Sequence, residues 1–182
     1  MVQPFPNFNV IAAVDAEGGI GKNGVMPWHF KEDMQYFKNL TKGAGDNVVI
    51  MGRKTFQSMN YRPLPYRTNI VISSSADLHS NHHNPSCNLH VLRCIEDALG
   101  IIPSLKCDDV WVIGGNLLYS SFMYEYSQLV KNVYLTHIPN TYDCDVHFPK
   151  IPDNFSMKQQ HHVLDGLTIL IFAVYENKEI EE

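Results

Sequence analysis

No two of the four cysteines, Cys87, Cys94, Cys107 and Cys144, stand at C-x-x-C spacing. That argues against a cysteine-based zinc site or a disulfide framework, and fits thiols kept reduced in a cytosolic compartment. No apolar run is long enough to span a bilayer, and the opening MVQPFPNFNV has none of the basic and apolar regions of a cleavable signal. The expectation is a soluble, cytoplasmic protein. Cations are also few: 14 Lys and Arg stand against 19 Asp and Glu, a formal charge of -5. A nucleic-acid groove is therefore disfavoured, and an anionic ligand would need a local basic patch. The histidines His79, His82 and His83 lack partner carboxylates at fixed spacing. The turn-rich stretch 75–88 that holds them reads as a solvated surface loop, and no metal is expected.

What is present is a chain of 182 residues, 45% of them hydrophobic, long enough for one domain with a substantial core. Short β-rich segments recur at 8–14, 47–51, 68–73, 89–92, 109–113, 133–137 and 167–175. Those reading NVVIM, NIVIS and VWVIGG are too short for helices and too apolar for a sheet with one wet face, so they read as central strands covered on both sides. Between them lie helical stripes: Phe30, Met34, Phe37 and Leu40; then Ile95, Ala98, Leu99 and Ile102; then Leu118 and Phe122. Strands alternating with helices predict an α/β fold, a mostly parallel sheet of about eight strands flanked by helices on both faces. After Pro139 no helical pattern intervenes, which predicts an antiparallel hairpin at one edge. The domain is expected to span 1–182, with its core at about 8–176 and a short acidic tail at 177–182.

Three strand ends carry ligand-like chemistry. In MGRKTF, Gly52, Arg53, Lys54 and Thr55 open a helix with free backbone N–H groups and two cations, a suitable seat for phosphate. The register is not that of a Walker A loop, so nucleotide hydrolysis is disfavoured. In VIGGNLLY, Gly114 and Gly115 follow a strand and allow close approach of a ligand, or form only a tight turn. In ISSSAD, Ser73 and Ser74 could meet a phosphate, or act only as turn residues. One long cofactor accounts for all three better than three coincidences.

The stretch GKNGVMPWHFKED sets a glycine-rich loop before two acids, Glu32 and Asp33. In the first turn of a helix, negative charge is stabilised by about 0.3–1 kcal/mol, which is explanation enough for both. Asp33, however, lies beside Met34 and one turn before Phe37, so it borders an apolar face. A carboxylate there is partly desolvated and suits a ligand presenting two N–H groups side by side.

Taken in order, VIAAV, GIGKNGVMPW with an acid shortly after Trp28, VIMGRKTF, RPLPYRTNIVIS and VWVIGGNLLY resemble the motifs of the dihydrofolate reductase family over about residues 8–176. The resemblance implies reduction of dihydrofolate to tetrahydrofolate with NADPH, by a monomer that antifolate inhibitors would target. Asp33 matches the carboxylate that grips the pterin, and Thr136 the hydroxyl that fixes that carboxylate. Ile11, Ala13, Met26, Met34, Phe37, Met59, Leu64 and Ile113 resemble the apolar walls, and Arg67 the arginine that pairs with the α-carboxylate of the substrate's glutamate tail. Ala13, Ile20, Gly21, Arg53, Lys54, Thr55, Ser73, Ser74, Gly115, Asn116, Leu117 and Tyr119 fall on cofactor positions. Arg53 would select NADPH through its 2′-phosphate, with Ser73, Ser74 and Arg93 assisting, and Gly114-Gly115 would be joined by a cis peptide. The loop 15–28, carrying Met26 and Trp28 at its catalytic end, resembles a lid over the site.

Two departures stand out: Ser74 replaces a cation common in vertebrate-type members, and the four residues between Trp28 and Asp33 give the compact bacterial-type spacing. Two alternatives stay open at this point. One is a reductase of the same fold acting on another pterin or a ribosylated pyrimidine, and the other is a non-catalytic folate or nucleotide binding module.

Overall fold

The computed structural model describes residues 6–82 and 88–180. In chain order the elements are β1 (Asn7–Val14), β2 (Gly19–Gly21), α1 (Lys31–Lys42), β3 (Val48–Gly52), α2 (Arg53–Ser58), β4 (Thr68–Ile72), α3 (Ala76–His82), β5 (Leu89–Leu92), α4 (Ile95–Ile101), β6 (Asp109–Val112), α5 (Asn116–Tyr124), β7 (Val130–His137), β8 (Val146–His147), β9 (Phe155–Asp165) and β10 (Thr168–Asn177). Eight strands form one sheet in the order β5-β4-β3-β6-β1-β7-β10-β9, while β2 and β8 make a separate ribbon. Strands β5 to β7 of that order run parallel, and β10 is antiparallel to both its neighbours.

Alternation along β3 shows why its apolar run is continuous. Val48 and Ile50 enter one core layer with Phe8, Ile70, Val110, Leu118 and Phe122. Val49 and Met51 enter the layer on the opposite face with Val71, Trp111 and Phe56. A strand whose successive side chains leave on opposite faces must be apolar throughout when both faces are covered. Because the strands are parallel, the ends of β1, β3, β4, β5 and β6 fall along one edge of the sheet, where α/β sheets take their ligands.

The structure corrects three sequence-based expectations. The supposed loop 75–88 begins with a helix, α3, in which Leu78 is buried and anchors the turn to the core; His83 and Cys87 lie outside the described residues. The antiparallel hairpin expected at one edge is present, but its strand β9 was not among the expected segments, because it is an edge strand with a long exposed stretch, SMKQQHH, wet on both faces. The acidic tail does not start at residue 177: Asn177 ends β10, is buried, and donates to the carbonyl oxygens of Ser127 and Val130 at 3.0 and 3.1 Å.

Candidate functional site

Asp33 sits in the first turn of α1 and faces the sheet rather than solvent. Burial raises its pKa, a hydrogen bond from Thr136 opposes that rise, and the charge of Asp165 adds to it. Thr136 is buried on β7 directly opposite Ala13 of β1, so the pair lies on the sheet floor beneath the helix. Across the floor, Tyr119 in the first turns of α5 is held protonated by burial and, secondarily, by the charge of Asp33. The acid therefore looks along the sheet edge toward the ends of β1 and β6.

Walls of the right kind surround it. Ile11 and Ile113 are buried, and Phe37, Met59 and Leu64 pack at the margin of the same core layer. Met34, which the helical stripe places on the packing face, is instead 43% exposed, as Met26 is at 52%. Their apolar side chains are not consumed by the fold. Trp28 is buried against Ile138 and Tyr142, the latter ring at 5.1 Å, and its indole N–H has no acceptor among the described residues.

The loop over this end is anchored at its base. Asp15 is buried, and its carboxylate accepts the N–H groups of Gly19 at 2.7 Å, Glu17 at 2.9 Å and Tyr142 at 3.0 Å. Burial pushes its pKa up, but these backbone bonds, with one from the Cys144 thiol, outweigh it and leave the pKa low. Strand β2, carrying Ile20 and Gly21, pairs with β8, and Asn23 donates to Asp145 at 2.9 Å. Gly19 must be glycine, since a Cβ would lie 2.4 Å from that of Cys144. By contrast Gly24 meets nothing within 4 Å, and Val25 and Met26 stand exposed at the tip.

The phosphate-like signals converge along the same edge. Arg53, Lys54 and Thr55 open α2 after β3; Ser73 and Ser74 follow β4; Arg93 follows β5; Gly114 and Gly115 follow β6 and lead into Asn116, Leu117 and Tyr119. The Gly114-Gly115 peptide is cis, and the Gly52 N–H donates to the Gly114 oxygen at 2.7 Å. Gly114 has φ 112, and a Cβ there would come within 3.0 Å of the Tyr119 hydroxyl, so the backbone at this end is kept bare. Arg53, Lys54 and Arg93 are exposed, and none of them enters a salt bridge among the described residues. Ser73 is turned inward, its hydroxyl accepting from the Ser75 N–H at 3.1 Å, while Ser74 stays exposed. Bare glycine backbone at one end and unpaired cations at the other fit a long ligand with anionic groups.

Arg67 is buried just before β4. It donates from Nε to Pro65 at 3.0 Å and from Nη1 to the Thr41 hydroxyl at 2.8 Å, and no described carboxylate pairs with it. Burial alone lowers its pKa. A buried guanidinium without a counter-ion is costly unless a ligand carboxylate completes it.

Asp15, Asp145, Tyr142 and Asp165 escaped the sequence reading. For Asp165 a signal existed, since Asp-Gly between two runs marks a hairpin turn. For Asp15 there was none, because its partners are main-chain N–H groups.

The chain matches the sequence model described as dihydrofolate reductase over residues 7–174. It is 34% identical over 165 residues to the dihydrofolate reductase of Aedes albopictus, covering 82% of this chain and 83% of that one. With the dihydrofolate reductase of Drosophila melanogaster the identity is 37% over 160 residues, covering 81% and 82%. The structure superposes on a dihydrofolate reductase from Enterococcus faecalis complexed with NADP(H) and RAB-propyl, with a TM-score of 0.79 and 28% identity over 94% of this chain and 96% of that one.

Proposed function

The chain belongs to the dihydrofolate reductase family, and from that premise we propose that the cleft between α1, β1, β7 and α5 is where it reduces 7,8-dihydrofolate to 5,6,7,8-tetrahydrofolate. NADPH, when bound, supplies the hydride that arrives at C6 of the pterin. The observation that carries the reading is the half-buried Asp33, tied to Thr136 and facing Tyr119 across the sheet floor.

Each residue's part follows from its setting. Asp33 accepts the 2-amino group and ring N3 of the pterin side by side, and its charge favours the positive charge that develops as a water delivers the proton to N5. Thr136 keeps the carboxylate facing the ligand. Ile11, Ala13, Met34, Phe37, Met59, Leu64 and Ile113 enclose the ring and exclude water. Arg67 offers its free Nη2 edge to the α-carboxylate of the glutamate tail. Ile20, Gly21, Met26 and Trp28 close from the loop side, and Ala13, Gly114, Gly115, Asn116, Leu117 and Tyr119 bound the nicotinamide end. Arg53, Lys54, Thr55, Ser73, Ser74 and Arg93 receive the phosphates. We read the molecule as a cytoplasmic, antifolate-binding monomer built as one domain over residues 1–182. Among the described residues no helix is long and apolar enough to cross a membrane.

The test is the fall in NADPH absorbance when dihydrofolate is added, with Asp33→Asn beside the native protein. Rapid oxidation that drops by about 100-fold or more in the variant is expected at neutral pH. Near-native turnover by the variant removes Asp33 from the mechanism.

A further inference from the structure

Helix α1 begins without a cap of its own: Phe30 stands extended at the N-cap position and offers no side-chain acceptor. The acceptor comes from far along the chain. An Asp165 carboxylate oxygen takes the Glu32 N–H at 2.7 Å, across 133 residues of sequence. Asp165 is the last residue of β9, at the tight turn into β10. The same hairpin grips α1 a second time one turn further on, where Tyr36 stacks on Phe172 with centroids 4.1 Å apart and planes within 4°. His161 of β9 closes on both rings edge-on, at 6.2 and 5.3 Å. The residue after Glu32 is Asp33.

We propose that Asp165 is a positioning residue of the reductase: from the β9–β10 turn it holds the first turn of α1, and with it Asp33, at the cleft, and its negative charge sets the field in which Asp33 meets the substrate. The proposal rests on Asp33 being the pterin-binding acid. A carboxylate at a helix start is favoured by the free N–H groups and the dipole there, so Asp165 gains from the position it takes. Its effect on Asp33 is the opposite, because like charges resist joint ionisation.

The groups that face Asp33 leave Asp165 a clear part. From β7 comes the Thr136 hydroxyl, from α5 the phenol of Tyr119, and from α1 itself Tyr36, Glu32 and Lys31. Tyr36 is pushed up to about 12, by burial first, then by Tyr134 and by Asp33, so both tyrosines stay neutral at working pH. Glu32 and Lys31 point to solvent. After burial, the Asp165 charge is the influence that raises the Asp33 pKa, against the lowering by Thr136.

Two variants separate the cap from the charge. Asp165→Asn keeps an acceptor for the Glu32 N–H and removes the charge, whereas Asp165→Ala removes both. Carbon-13 NMR of the side-chain carboxyls, with Asp33→Asn identifying the Asp33 resonance, follows its titration in the ligand-free protein. The expected result is a titration midpoint at lower pH in Asp165→Asn than in the native protein, and a matching acid-ward move of the pH profile of kcat/KM for dihydrofolate. Asp165→Ala should in addition melt about 2–4 °C lower, the loss of one cap in a chain of this size. An unchanged Asp33 midpoint in Asp165→Asn overturns the proposal whatever the enzyme's activity. A shifted midpoint with no dihydrofolate reduction by the native protein leaves the coupling intact and overturns the reductase assignment of the cleft.

Discussion

The Tyr119 hydroxyl donates to the main-chain oxygen of Ile11 at 2.8 Å, joining the start of α5 to the central strand β1 across 108 residues of sequence. Both groups are buried, and the same ring covers Gly114. Tyr119→Phe leaves the ring and removes the hydroxyl that bonds to Ile11. Stability should fall by about 1–3 kcal/mol, the cost of a buried group losing its partner, measured by urea denaturation. KM for NADPH should rise more than KM for dihydrofolate, because the proposed assignment puts the tether at the cofactor end of the cleft.

Asp33 weakens the fold it serves. Its folded pKa stands above the ordinary 3.8, burial being the largest cause. The stability it contributes is therefore fully present below pH 3.8 and is lost as pH rises through the higher folded value. At pH 7 the ligand-free Asp33→Asn protein should melt above the native one, and the gap should close as the pH falls toward 3.8. Thermal scans at a series of pH values check this, and a variant that melts lower at pH 7 contradicts it.

Arg53 stands exposed at the start of α2 and enters no salt bridge among the described residues. If it meets the 2′-phosphate, Arg53→Ala should raise KM for NADPH about tenfold or more, roughly 1.4 kcal/mol, and change KM for NADH little. Equal losses with both cofactors would assign Arg53 to phosphates they share.

Arg67 has its Nε and Nη1 groups fixed by Pro65 and Thr41. Arg67→Lys keeps a charge but not the fork, so KM for dihydrofolate should rise about tenfold with kcat little changed. A pterin without the glutamate tail should be reduced equally by both proteins. A loss with both substrates would mean that Arg67 supports the fold rather than the tail.

The parts of this molecule that were legible in the sequence are those whose signal is carried by one segment. The NVVIM of β3 shows that both faces are covered, and the glycines of VIGG show that backbone must stay bare. Asp33 stood out because an acid beside Met34 and Phe37 conflicts with the apolar face it borders. The illegible parts depend on pairings between segments. From Ser156 to His162 β9 is exposed on both faces, so its alternation says nothing. Asp15 looks like any acid after a strand until the N–H groups of Gly19, Glu17 and Tyr142 are folded around it. Asp165 joins the site through a hydrogen bond to Glu32 and through its charge, from 133 residues away in the chain.

The place of β1 in the sheet bears on how the protein is made. This strand is made before either of its sheet neighbours, β6 and β7, and its Asn9 bonds to Asp109 and Asn132 across 100 and 123 residues. Closing loops of that length comes before any gain from pairing, which makes such a sheet slow to assemble. A nascent chain must carry β1 with both of these edges bare until β6 and β7 have been synthesised. A central strand of the finished enzyme is thus an aggregation hazard in the growing chain, and β1 is a segment that a chaperone holding the emerging chain would protect.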